Sequence, residues 1–180
     1  MSQLRQSEHG VHTQFLERWS SRAYESKAVP EDALLRVLEA ATWAPSANNL
    51  QPWSFVVAKT EEQREKFYSF ILEGNLAWCK QAPVLILLAA NTESAVASFD
   101  SGTAWGYLAL QAKHEGLITR AMGGFEREKA KEVLNLPAHL EPQVVIALGY
   151  QGDKSTLPQH LQERDHPTTR KALQSFIIEA

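Results

Sequence analysis

The sequence predicts an α+β domain, a sheet of four or five strands flanked by helices. Three observations lead there. Two short, continuously apolar runs, 84–90 and 144–148, have the length and composition of strands covered on both faces. Two longer segments, 30–43 and 99–115, repeat apolar residues at helical spacing. No repeat or low-complexity tract interrupts the 180 residues, enough for one substantial core.

Taken in order, 12–19 carries a short amphipathic pattern and is expected as an opening helix. Pro30 then starts a clear one, with Glu31 and Asp32 in the first turn, where acids favour the positive helix end. Leu34, Val37, Leu38 and Ala41 form its apolar face, and it ends before Ala44-Pro45, since proline disfavours helical geometry in its predecessor. Residues 54–58 read as a strand and 61–72 as a helix with Phe67, Phe70 and Ile71 near one face. After the 84–90 strand, 99–115 is apolar almost all round, the mark of burial in a core or at a subunit contact, with Gly116 as its cap. A helix over 126–134 and the 144–148 strand follow. The tail is polar over 152–169 and apolar again over 173–178, so it needs a surface on its own subunit or on a partner.

Composition excludes several classes. A net charge of −3 argues against nucleic-acid binding, which needs a concentrated basic face. Cys79 is the sole cysteine, which rules out internal disulfides and cysteine metal clusters and suits a buried small hydrophobe. The six histidines show neither His-x-x-x-His nor His-Glu-x-x-His spacing, so no metal site is expected. Gly-x-Ser-x-Gly is absent, removing the commonest hydrolase elbow. Residues 1–10 lack the apolar core of a signal peptide, and the longest apolar run, 82–90, is too short for a membrane span. The cytoplasm is the expected compartment.

Three segments stand out for chemistry, each with an ordinary alternative. Arg18-Trp19-Ser20-Ser21-Arg22 offers planar paired donors and directed hydroxyls, which make a phosphate grip, although the segment alone favours a solvated charged turn. Residues 44–53 (Ala-Pro-Ser-Ala-Asn-Asn-Leu-Gln-Pro-Trp) are dense in amides that suit a heteroaromatic ring, though Asn and Pro also build plain turns. Gly123-Gly124 can expose backbone N–H groups to a ligand, and Arg170-Lys171 can complete a phosphate site. Alternatively they are a tight connection and an exposed helix start.

Together these segments resemble the nitroreductase family. The likeness continues through Asn75 with Ala82-Pro83, Asp100 and Gly102, Gly123-Gly124-Phe125, Gly149-Tyr150, and Glu163-Arg164 to Arg170-Lys171. It spans nearly the whole chain, and the Pro-Ser-Ala-Asn-Asn-Leu-Gln-Pro-Trp loop is its specific part. The resemblance implies one domain over 1–180, a mostly antiparallel sheet, and a domain-exchanged homodimer whose tail, about 152–180, reaches the partner. It implies FMN as cofactor, with Arg18, Ser20 and Arg170 on the phosphate and Lys171 beside them. Trp19 adjoins that group. Arg22 would reach the ribityl chain or pyrimidine edge, Asn75 the ring system, and Gly123 and Gly124 the reactive edge. Pro45, Ser46, Asn48 and Asn49 would come from the partner subunit, and Gln51 of the same loop would also bind the cofactor.

The implied activity is hydride transfer from NADH or NADPH through FMN to nitroaromatics or quinones, in ping-pong order. No catalytic side chain is required, because the cofactor carries the chemistry. The absence of Gly-x-Gly-x-x-Gly after a strand fits a pyridine nucleotide that visits the flavin transiently. An ene-reductase, a dehalogenase or a non-catalytic flavin carrier is the alternative, although the chain lacks a long inserted lid. Two departures from the family pattern stand out. Trp19 replaces a basic or small polar residue, and Lys171-Ala172-Leu173 replaces a basic-proline-leucine sequence.

Overall fold

The computed structural model describes residues 5–179. Its sheet has four strands, β1 (Trp53–Ala58), β2 (Val84–Asn91), β3 (Ile118–Met122) and β4 (Leu140–Gly149), in the order β1-β2-β4-β3 with every neighbouring pair antiparallel. Helices α2 (Glu31–Thr42) and α5 (Ala97–His114) cover one face; α3 (Glu61–Tyr68), α4 (Glu73–Cys79) and α6 (Arg127–Val133) cover the other. The α+β expectation holds.

The continuous apolar run of β2 follows from that sandwich. Successive strand side chains point to opposite faces. Val84, Ile86 and Leu88 therefore join Ile146 and Leu148 against Leu34 and Val37 of α2 and Ala104, Leu108 and Ala112 of α5. Leu85 and Leu87 join Val145 and Ala147 against Phe67 of α3, Trp78 and Cys79 of α4, and Ala130 of α6. Being buried on both faces removes the polar half of the usual alternation.

Several boundaries differ from expectation. The opening helix, α1, covers only Thr13–Glu17, capped by His12, whose ring nitrogen accepts from Gln14 N–H. The expected single helix over 61–72 is two. A reciprocal Thr60–Gln63 cap starts α3, but the chain leaves the helix after Tyr68 so that Ile71 can bridge to Phe125 and the Phe70 carbonyl can accept from Glu126 N–H. Strand β4 begins at Leu140 rather than 144, because a register shift at Leu88/Ala89 accommodates Pro142. Strand β3, an edge strand of mixed polarity, was not anticipated as an element.

Helix α5 starts at Ala97, two residues earlier than expected, and ends as predicted. Gly116, at φ +74, follows it, with Gly116 N–H bonded to the Lys113 carbonyl and Leu117 N–H to that of Ala112. Its apolar surface is not all buried within one chain: Phe99 is 77% and Tyr107 42% exposed. The tail carries two short 3-10 turns, Lys154–Thr156 and Leu173–Phe176, and the helical turn α7 (Gln159–Gln162); Phe176 and Ile178 lie exposed beyond it. No helix among the described residues is long and apolar enough to cross a membrane.

Candidate functional site

The arginine-serine segment is held in extended form beside the end of β4. Tyr24 bridges to Gln151, Glu25 N–H donates to the Tyr150 carbonyl, and Gly152 N–H donates to that of Ala23. The approach is so close that a Cβ on Gly152 would lie 2.5 Å from the Tyr24 carbonyl carbon. Extension alternates the side chains, which sorts their roles. Ser21 is fully buried and its hydroxyl donates to Asp165 at 2.7 Å. Arg18, Ser20 and Arg22 take the other side and line a cleft of about 420 Å³.

That cleft gathers six arginines, Arg5, Arg18, Arg22, Arg120, Arg164 and Arg170, with Trp19, Ser20, Thr168, His166 and Glu163. The sole carboxylate within ion-pair distance of any described guanidinium there is Asp165, 3.8 Å from Arg22 Nη1. Burial lowers the pKa of Arg18, and repulsion by Arg170 lowers it further. Burial likewise lowers that of Arg120, with Arg22 adding to it. Burial lowers Arg22 too, against the opposing pull of Asp165. Half-buried cations without counter-charges make a strong anion site, and planar paired donors suit phosphate oxygens.

Asn75 and Gly124 form a second group. Asn75 Nδ2 donates to the Gly124 carbonyl at 3.0 Å, while Trp78 Nε1–H donates to Asn75 Oδ1 at 3.3 Å. Gly124 must be glycine for this, because a Cβ would meet Asn75 Nδ2 at 2.6 Å. The two groups are joined through Arg120. Its guanidinium lies 5.5 Å over the Trp78 ring and donates to the Ser20 carbonyl.

The amide loop stands apart within one chain. Asn48, Asn49 and Gln51 all have left-handed φ values, of 52, 56 and 47°. Bonds to two side chains help hold this conformation: Ala47 N–H donates to the buried carboxylate of the distant Asp100, and Gln51 N–H donates to Ser46 Oγ. Pro45, Asn48, Asn49 and Gln51 are exposed and Ser46 half-buried, and none lines the arginine cleft. Of the sequence-predicted residues, Arg18, Trp19, Ser20, Arg22 and Arg170 are brought together, Asn75 and Gly124 pair nearby, and Gly123 adjoins them. Lys171 is exposed and does not line the cleft.

Sequence reasoning missed Arg5, Arg120, Asp165 and His166. Arg120 had a usable signal: it is the sole charge in 118–122, a short segment of mixed polarity that proves to be a strand. Asp165 had none, since its partners lie far away in sequence, and Arg5 had none because its link to Thr168 spans 163 residues.

The sequence model of the nitroreductase family matches residues 16–78 and 71–150. A Thermus thermophilus protein described as NADH dehydrogenase is 31% identical over 186 residues, covering 82% of this chain and 89% of its own. An FMN reductase [NAD(P)H] of Bacillus subtilis is 26% identical, covering 76% of this chain and 64% of its own. A crystal structure of an oxidoreductase containing FMN superposes with a TM-score of 0.93 at 40% identity, covering 97% of this chain and 94% of the other. The chain belongs to the nitroreductase family.

Proposed function

We propose that this chain is a cytoplasmic, homodimeric, FMN-dependent oxidoreductase that uses NADH or NADPH to reduce small electron-poor acceptors such as nitroaromatics and quinones. The observation that carries the reading is the cleft of six arginines, whose charge the described carboxylates leave largely unbalanced. Bound there, FMN would supply the hydride-transfer chemistry between the nicotinamide and the acceptor, in the ping-pong order we propose.

The residues present fit that cofactor. Arg18, Ser20 and Arg170 line the same cleft and would grip the phosphate, with Lys171 following in the chain. Arg22, held by Asp165, would place positive charge at the pyrimidine edge, where reduction leaves negative charge. Asn75 retains unused hydrogen-bonding capacity for the ring system. Gly123 and Gly124 have N–H groups that donate to no described acceptor.

The whole chain would form one domain; its tail, from about 152, first packs on its own subunit through Leu157, Leu161 and Asp165, and its last residues would then cross to a partner. Trp43, Leu50 and Phe99, 75%, 57% and 77% exposed, surround the amide loop and offer it an apolar interface. That interface would carry Pro45, Ser46, Asn48, Asn49 and Gln51 to the partner's flavin. Leu173, Phe176, Ile177 and Ile178, all exposed, give the tail the apolar contact it needs.

Anaerobic titration with NADH and NADPH tests the reading, because the yellow protein should bleach and re-oxidise on adding an acceptor. Tight FMN without bleaching would make the protein a flavin carrier. R18A and R170A should each lose FMN by about 1.5–3 kcal/mol, the worth of a charge-assisted hydrogen bond. Fully yellow variants would displace the phosphate site. Sedimentation at the monomer mass with FMN still bound would refute the cross-subunit loop.

A further inference from the structure

Arg5 reaches the cleft from the start of the chain and makes three hydrogen bonds, all to backbone carbonyls. Nε donates to Thr168 at 2.8 Å, and Nη1 donates to Leu16 at 3.0 Å and Arg18 at 2.8 Å. The first contact lies on the segment that carries Arg170; the other two lie at the start of the loop that carries Arg18 and Ser20. These segments are about 150 residues apart in sequence, and no other described side chain hydrogen-bonds to both. The Thr168 carbonyl that Arg5 holds also accepts from Arg170 Nη1 at 3.4 Å, and Thr168 Oγ1 accepts from the same nitrogen at 3.3 Å. Nη2 of Arg5 makes no bond to the described residues, and Arg5 lines the cleft.

We infer that Arg5 is a positioning residue for the phosphate grip, a strap that fixes the spacing between Arg18 and Arg170; this rests on the flavin reading above. The need for a strap follows from electrostatics. Arg18 and Arg170 repel each other, and each also repels Arg5. Among the described residues the anionic link between the two segments is Asp165, which holds residues 21 and 22; no carboxylate lies within ion-pair distance of Arg18 or Arg170, and the tail beyond 165 has little buried surface of its own. Without Arg5 the empty grip opens, and phosphate binding must then restore its geometry. A planar guanidinium bonds carbonyls from two segments in one fixed fork, whereas an ammonium is a point charge on a flexible stem.

The test compares FMN with riboflavin, which lacks the phosphate, on the full-length protein and its R5Q and R5K variants. R5Q should raise the FMN Kd about 10- to 100-fold, as one or two charge-assisted contacts weaken. Its riboflavin Kd should stay within about twofold of wild type, since the ring contacts do not involve Arg5. R5K should behave like R5Q. Unchanged FMN affinity in R5Q overturns the strap, as does an equal loss for both flavins or full rescue by lysine. Should wild type bind neither flavin, the proposed function falls on its own. The strap is then read from inorganic phosphate, which should raise the Tm of wild type and not of R5Q; equal shifts, or none in wild type, overturn it.

Discussion

Asp165 is the residue on which the arginine segment turns, and its removal gives the sharpest test of how the site is built. The carboxylate is buried, accepts from Ser21 Oγ at 2.7 Å and from Arg22 N–H at 2.8 Å, and stands 3.8 Å from Arg22 Nη1. Asp165→Ala strands all three groups and leaves Arg22 facing its like-charged neighbours Arg120 and Arg164. Breaking one side of a buried charged pair costs about 3–5 kcal/mol. At about 2–4 °C per kcal/mol for a domain of this size, that is a fall of roughly 6–20 °C in Tm. Asp165→Asn keeps one acceptor oxygen, so it should lose about 1.5–3 kcal/mol, a single charge-assisted bond. The assay is thermal unfolding of flavin-free protein at low and high salt. Added salt should narrow the gap between wild type and both variants, because it screens the exposed repulsion that Asp165 offsets. An Asp165→Ala protein within about 2 °C of wild type would refute the reasoning.

Three further outcomes are expected. Gly152→Ala drives a Cβ to 2.5 Å from backbone carbon of Tyr24, where no side chain can yield, so it should unfold or destabilise the protein by more than about 3 kcal/mol in denaturant melts. Gly124→Ala meets the movable amide of Asn75 instead, and should cost only about 1 kcal/mol of stability, one neutral hydrogen bond, while shifting the spectrum of bound flavin. Cys79 is fully buried and its thiol pKa is pushed up to about 12. The folded state thus favours the neutral thiol: its contribution is complete below the ordinary value near 9 and is lost as pH rises from there towards 12. Cys79→Ala should flatten that part of the Tm-against-pH curve, with buried Tyr24, also shifted upward, keeping some of the slope.

The strands and helices that close the core were legible because hydrophobic periodicity records burial directly. Leu85 and Ile86 face opposite cores, and the sequence shows it as an unbroken apolar run. Strand β3 escaped notice because one of its positions is Arg120, which serves the cleft rather than the core. The break between α3 and α4 was hidden for a related reason. Phe70 and Ile71 are as apolar as helix residues should be, yet they are needed by the Phe125 segment, a tertiary demand that local spacing does not encode. In the site, Arg18, Ser20 and Arg22 were readable as a cluster since extended chain places alternate residues side by side. Asp165 was not, because it acts on chain more than 140 residues away, and neither was Arg5, whose bond to Thr168 spans 163 residues.

The same distinction explains why the cleft reads as a ligand site rather than a structural ion network. Four of its six arginines donate side-chain hydrogen bonds to described residues. Arg5 donates to three carbonyls, Arg120 to Ser20, Arg170 to Thr168 and Thr169, and Arg18 to the Ser20 hydroxyl. Carbonyl oxygens satisfy N–H groups and fix the orientation of each guanidinium, but they do not neutralise its charge. A stabilising network would place carboxylates there, as at Arg36, which bonds Asp32 and Glu115 on the surface. The cleft instead pairs one of its six arginines, and that one at 3.8 Å. Donors held in place with their charge left over define a pre-organised anion site, and the fold bears their mutual repulsion until the anion arrives.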